Sequence, residues 1–212
     1  VSTKLGAIHQ ESKGIPQGSP ISALLSNIYL LNFDKSIKQF VTKNNGKYYR
    51  YCDDMLLIVP TRLHRKTEDF IYSEIGKIKL EIQKEKNEVR FFKTSPTGPY
   101  SSRPLQYLGF TYDGRNALIR SASLARYYER ANRGVRLAKA TMEKYNTLRI
   151  ERGELPTPLH LKKLYKKYSH LGRRNFLSYG YKASKIMNSK SIKKQLRPHW
   201  ERLQQKISEE HK

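Results

Sequence analysis

Asp53 and Asp54 stand side by side between two β-prone runs, Tyr48 to Tyr51 and Met55 to Val59, and Pro60 closes the second run. A β-hairpin is the economical fold for such a segment. Aspartate is poor in strands and two neighbouring carboxylates repel, so the sequence puts an unfavourable pair at the hairpin tip. A divalent cation relieves that repulsion. Mg2+ favours a few carboxylate oxygens together with water and substrate phosphates. That suits a nucleotidyl-transfer site in which one metal activates a primer hydroxyl and the other steadies the leaving pyrophosphate, with Mn2+ as a substitute. Side chains of neighbouring strand residues point to opposite faces, so a tight turn is needed to bring both carboxylates near metal. Asp53 is expected to be the closer ligand and Asp54 the looser one. Taken alone, an Asp-Asp pair also reads as a polar hairpin turn.

The flanking segments read as a mixed α+β part. From Ser19 to Val41, residues Ile21, Leu24, Leu25, Ile28, Leu31 and Phe33 recur at helical spacing, which predicts one buried helix behind a breaker-rich entry. Lys66 to Leu80 repeats Phe70, Ile71, Ile75 and Ile78 as an amphipathic helix, and Val89 to Phe92 reads as a strand. Ser95 to Pro99 reads as a loop. Two strands are then expected, Leu105 to Thr111 and Ala117 to Ile119, with a turn at Asp113-Gly114.

Beyond Ser121 strand signals stop, and helices are expected, separated at Gly153 to Pro158, Gly172 and Gly180. On the first, Leu124, Tyr128, Ala131, Val135, Ala138 and Met142 share one face, while Arg126, Arg130, Arg133 and Lys144 share the opposite one. A later stripe, Ile192, Leu196, Leu203 and Ile207, is expected to be split or kinked at Pro198. Charge follows the same division. Residues 1–120 carry 19 basic and 11 acidic side chains and residues 121–212 carry 23 and 7, within a net charge of +24. An excess of that size points to a polyanionic partner, with Arg126, Arg130, Arg133 and Lys144 as phosphate contacts. No apolar run reaches the ~20 residues needed to cross a bilayer, and the opening residues lack signal-peptide sections, so no membrane role and a cytoplasmic location are expected. The single Cys52 cannot form an internal disulfide, and no zinc-finger spacing occurs.

The order of motifs adds a resemblance. Gly14-Ile15-Pro16-Gln17-Gly18-Ser19-Pro20, then Leu25-Ser26-Asn27-Ile28-Tyr29-Leu30, then Arg50-Tyr51-Cys52-Asp53-Asp54 resemble the bacterial reverse transcriptases, including group II intron and retron enzymes. Glu85-Lys86-Asn87-Glu88-Val89 looks like that family's fourth palm motif, and Leu105-Gln106-Tyr107-Leu108-Gly109-Phe110 like its primer grip. The resemblance implies an RNA template, a DNA primer and product, and deoxynucleoside triphosphates as partners. It implies that Gln17, Gly18 and Ser19 lie against template and incoming nucleotide, and that Tyr51 and Cys52 sit beside the primer terminus. Asp53 and Asp54 would hold Mg2+, Lys86 would protonate the departing pyrophosphate, and Leu108 and Gly109 would steady the primer end.

The implied architecture is α+β: a partial reverse-transcriptase palm, with an antiparallel sheet and packed helices, over residues 1–120, and an all-α basic thumb over residues 121–212. The tail, Ser169 to Lys185 with Lys193-Lys194-Gln195-Leu196, is similar to the thumb of defence-associated and abortive-infection reverse transcriptases. That similarity implies DNA synthesis in antiphage defence, with a companion non-coding RNA. The family also carries a metal-binding Asp on a strand before the glycine-rich loop, and residues 1–13 contain none. The chain is therefore expected to be the C-terminal part of the enzyme, inactive alone. Asp34, on the helix after the loop, reads as a surface residue. Three alternatives stay open: a catalytically inactive RNA-binding scaffold with a polymerase-like fold, an untemplated DNA polymerase, and a retron or group II intron type enzyme.

Overall fold

A computed structural model describes residue 15, residues 19–83, residue 85 and residues 87–209. The fold is α+β, with helices and small antiparallel sheets. It forms two compact units, Val1–Val89 and Arg90–Lys212.

In the first unit α1 (Ser22–Tyr29) and α2 (Leu31–Lys43) lead into a hairpin of β1 (Lys47–Tyr51) and β2 (Asp54–Ile58), followed by α3 (His64–Lys77). Strand residues alternate between faces. Met55 and Leu57 of β2 and Tyr48 of β1 point to the helices, and there they meet Phe33, Ile37 and Val41 of α2 and Ile75 of α3. Phe40 and Phe70 stack across the two helices at 4.2 Å between ring centroids. The apolar spacing that predicts one buried helix from Ser19 to Val41 gives two helices instead. The break falls at Leu30, where φ −88° and ψ 0° open the turn at the edge of the helical region. Of the two, only α2 contributes buried residues, Phe33, Ile37 and Val41; Ile21, Leu24, Leu25 and Ile28 are exposed because among the described residues no element covers that face of α1, and Leu31 at the start of α2 is exposed too.

The second unit opens with β3 (Lys93–Ser95) and β4 (Gly98–Tyr100), so the predicted strand at Val89 to Phe92 is shifted and the predicted loop at Ser95 to Pro99 is a tight hairpin. The reason is the turn. Pro96 and Thr97 form its two-residue link, the Ser95 hydroxyl donates to the Gly98 carbonyl at 2.6 Å, and pairing can run back only from Ser95 to Lys93. A meander follows, β5 (Leu105–Tyr107), β6 (Phe110–Tyr112) and β7 (Ala117–Ile119). The segment expected as one strand from Leu105 to Thr111 thus folds back on itself at Leu108-Gly109. The turn at Asp113-Gly114 is where the sequence puts it, and the Asp113 carboxylate accepts the backbone N–H groups of Arg115 and Asn116 at 2.8 and 2.7 Å.

Five helices complete this unit: α4 (Ser121–Glu151), α5 (Leu161–Tyr168), α6 (Phe176–Ile186), α7 (Lys190–Leu196) and α8 (His199–Ser208). Their core joins Tyr127, Ala131 and Val135 of α4 to Leu164, Tyr168, Leu177, Ile192, Leu196 and Leu203, with Ile119 of the sheet. Pro198 separates α7 from α8, as its missing N–H requires. Gly180, by contrast, does not divide helices. It lies inside α6, where a β-carbon would meet the Leu196 and Ile119 side chains at 2.8 and 3.1 Å, so glycine is there for close packing. α7 also closes the outer edge of β7. The Gln195 amide accepts the Ile119 N–H at 2.8 Å and donates to the Ile119 carbonyl at 3.1 Å, and the Ser189 hydroxyl donates to the Ala117 carbonyl at 2.7 Å. The buried Lys139 ammonium caps α8 by donating to the Lys206 and Glu209 carbonyls, where the helix dipole is negative.

His199 sits in this core, 2 % exposed, stacked on Tyr128 at 4.5 Å and edge-on to Tyr127. Neither ring nitrogen has a hydrogen-bond partner among the described residues. Burial, with help from the nearby Arg202 charge, pushes the imidazole pKa down to about 4. An unfolded histidine titrates near ~6.5, so as pH falls from there to about 4 the unfolded chain takes up a proton that the folded one refuses. Stability should be fully present above that window, fall through it by up to about 3 kcal/mol, and level off below. His199→Phe should flatten that part of the profile. Denaturant midpoints of the two proteins between pH 7 and pH 4 check this, and identical slopes would count against it.

Candidate active site

The tip of the first hairpin is a two-residue link. Tyr51 pairs with Asp54, and Cys52 and Asp53 bridge them. Cys52 has φ +54, a left-handed value, and Asp53 is not among the positive-φ residues. A residue other than glycine in that conformation costs about 1–2 kcal/mol, so surrounding contacts must hold the turn. Tyr51, Cys52, Asp53 and Asp54 are all exposed there, as a site open to a large substrate requires. Tyr51 (64 % exposed), Tyr49 and Ile58 lie on the hairpin face turned away from the helices, and Asp54 shares that face by register. Neither aspartate has an ion-pair or hydrogen-bond partner among the described residues, nor does any third metal-ligating side chain join them there.

On the opposite face lies a network that the sequence reading missed. Arg50 points inward from β1, its side chain 10 % exposed. Its Nε donates to the Asp34 carboxylate at 2.8 and 3.1 Å, and its Nη2 at 2.5 Å. Its Nη1 donates to Asn27 Oδ1 on α1 at 3.1 Å and to the Cys52 carbonyl at 2.8 Å. The Tyr48 hydroxyl donates to the same Asp34 carboxylate at 2.6 Å. Asp34 is therefore no surface residue, which corrects the expectation for it. Partial burial would raise its pKa, but hydrogen bonds from Arg50 and Tyr48 and the Arg50 charge outweigh this and hold the carboxyl below the ordinary range. Burial, then the bond to Asp34, pushes the Tyr48 phenol well above its usual value, while the bond to Asp34 raises the Arg50 pKa. The signal was present in the sequence: Asp34 lies three and seven residues before the buried Ile37 and Val41, on the same helical face.

Of the other expected site residues, Gln17, Gly18 and Lys86 lie outside the described residues. Ser19 is half-buried, and its carbonyl accepts the Ser22 N–H at the start of α1. Arg126, Arg130, Arg133 and Lys144 are exposed along α4, opposite the buried Tyr127, Ala131 and Val135, and none forms an ion pair with a described residue. Over those 18 residues the row runs about 27 Å.

Leu108 and Gly109 form the β5–β6 turn with φ +48 and +86, and two positive values define a type I′ turn. The Arg120 N–H donates to the Gly109 carbonyl at 2.9 Å and braces it. Leucine is an unusual occupant of the first position, where asparagine is favoured, and its side chain is 40 % exposed at the tip. A strained, exposed apolar side chain contributes little to the fold. Leu108→Asn should therefore raise stability, by about 1 kcal/mol. A denaturation midpoint that is unchanged or lower would contradict this account of the turn.

A model of the family described as reverse transcriptase (RNA-dependent DNA polymerase) matches residues 1–112, which take in the carboxylate hairpin and the Leu108-Gly109 turn. No curated protein matches the chain. The tip with its two aspartates and the glycine-containing turn that follows are thus parts of one polymerase pattern, and the chain belongs to the reverse transcriptase (RNA-dependent DNA polymerase) family.

Proposed function

We propose that this chain carries the catalytic turn, primer grip and nucleic-acid-holding helices of an RNA-directed DNA polymerase that works by two-metal nucleotidyl transfer. The observation that carries the reading is the two-residue turn that presents Asp53 and Asp54, exposed and without a described side-chain partner, at the end of a hairpin whose other face is packed. Mg2+ binds well to one or two carboxylates that leave room for water and substrate phosphates, and this donor set fits it. Asp53 and Asp54 would hold it, and when bound it supplies charge neutralisation at the primer hydroxyl and the leaving pyrophosphate. Tyr51 and Cys52 would lie beside the primer terminus, with the exposed Tyr49 and Tyr51 rings offering sequence-tolerant stacking surfaces. Gln17, Gly18 and Ser19 would face template and nucleotide, Lys86 would give a proton to the leaving group, and Leu108 and Gly109 would bear on the primer end.

In this reading residues 1–120 act as palm and residues 121–212 as thumb, where α4 meets the phosphates of template and product. The similarity of Ser169 to Lys185 to defence-associated enzymes supports a role in bacterial antiphage defence with a companion non-coding RNA. Among the described residues no helix is long and apolar enough to cross a membrane. A second reading, an RNA-binding scaffold without catalysis, is favoured by one observation: no third carboxylate joins Asp53 and Asp54 among the described residues.

Asp53→Asn separates the two. In the intact protein, primer extension with Mg2+ should fall at least about a thousandfold, while RNA affinity changes little. Undiminished synthesis would remove the metal role, and no synthesis by either protein would favour the scaffold. Replacing Arg126, Arg130, Arg133 and Lys144 together with Gln should lower the slope of log affinity against log salt by about 3, as loss of four phosphate contacts requires. An unchanged slope, measured by fluorescence anisotropy on an RNA–DNA duplex, would exclude α4 from the interface.

A further inference from the structure

We infer that Arg50, anchored by Asp34 and Asn27, is a positioning residue that sets the direction of the Asp53-Asp54 turn through the Cys52 carbonyl. The inference rests on the polymerase reading above. The Cys52 carbonyl begins the peptide group that leads into Asp53, so fixing that oxygen fixes the plane from which the Asp53 side chain departs. Cys52 holds a left-handed conformation that a cysteine left to itself would abandon, and Arg50 is the described side chain that bonds to this turn. Arg50 is itself immobilised. Two of its nitrogens are taken up by Asp34 on α2, and the third is shared between Asn27 on α1 and Cys52. A planar guanidinium can serve all three partners at once, and the compact ammonium of a lysine cannot.

The arrangement also gives the turn a connection to the helices behind it. α1 follows directly on the Gly14 to Pro20 segment, and a shift of Asn27 is transmitted to Cys52 across one side chain. The carboxylates are thereby aimed by an element outside their own hairpin. Asp34 belongs to the same unit of action: it touches neither the turn nor any expected substrate position, and acts by holding Arg50 in plane.

The test uses Arg50→Lys, Asp34→Asn, the double variant and Asn27→Ala, with two readouts. The first is primer extension by the intact protein. Arg50→Lys and Asp34→Asn should each lower kcat by about 10- to 100-fold with the KM for deoxynucleotides changed less than about threefold, and the double variant should be no worse than the weaker single one. Asn27→Ala should lose about threefold, and serves if the others do not fold. The second readout does not depend on activity. Cys52 is the sole cysteine of the 212 residues, so a nitroxide attached there reports on the turn by electron paramagnetic resonance. Its spectrum should sharpen toward the mobile limit in each variant at temperatures where the protein is folded, which loss of global stability alone would not produce. A spectrum unchanged in Arg50→Lys and Asn27→Ala, or wild-type kcat in Arg50→Lys beside an inactive Asp53→Asn, overturns the inference alone. Full activity of Asp53→Asn instead overturns the polymerase reading, and the spectra still decide whether Arg50 holds the turn.

Discussion

An arginine that points inward from a strand must find its counter-charge within the fold, and in the first unit that requirement draws Asp34, and α2 with it, onto the back of β1. Everything else in the unit is arranged around that contact. Tyr48, one turn of the pleat away, donates to the same carboxylate, and the apolar residues on either side, Phe33, Ile37, Met55 and Leu57, close over it. In a partly dry setting, removing one member of the pair would leave the other charge stranded, which is costly whatever the net worth of the intact pair. The same guanidinium reaches the carbonyl of Cys52, so the contact that docks the helix also touches the turn that bears the aspartates. Packing and chemistry here share one side chain.

The two faces of the hairpin divide the labour. The inner one is filled by helices, and the outer one, with Tyr49, Tyr51, Ile58 and the Asp54 position, is open. The second unit repeats the pattern on a larger scale: α4 turns Tyr127, Ala131 and Val135 inward and leaves Arg126, Arg130 and Arg133 in solvent. Each unit thus offers an exposed face, backed by a packed one, with charged or aromatic groups on it.

Periodicity explains what could be read from the residues alone. The β1–β2 hairpin, α3, the two faces of α4 and the break at Pro198 all follow from local spacing or from a residue with one backbone option. The features that escaped depend on partners far along the chain. α1 has a helix's apolar stripe but no described cover, and spacing cannot distinguish a stripe that is buried from one that is not. Gly180 carries the same signature as a helix terminator, yet its position is dictated by Leu196 and Ile119. Leu108 in a type I′ turn defies turn preferences, so the hairpin it makes reads as one strand. Asp34 was misjudged for a related reason: a charged residue was assigned to solvent although its spacing placed it with Ile37 and Val41. In the site, the carboxylate pair stood out in the sequence because two neighbouring carboxylates at a hairpin tip repel and a cation would relieve them, whereas the arginine behind it did not, because one arginine in a strand of tyrosines carries no such contradiction.

The side-chain amide of Gln195, which mimics a fourth strand at the margin of β7, has a further consequence. An open margin is an invitation for another molecule to zip on by main-chain bonding. With both polar groups of Ile119 and the carbonyl of Ala117 already answered from within the chain, that stretch of the margin has little left for a visiting strand to pair with.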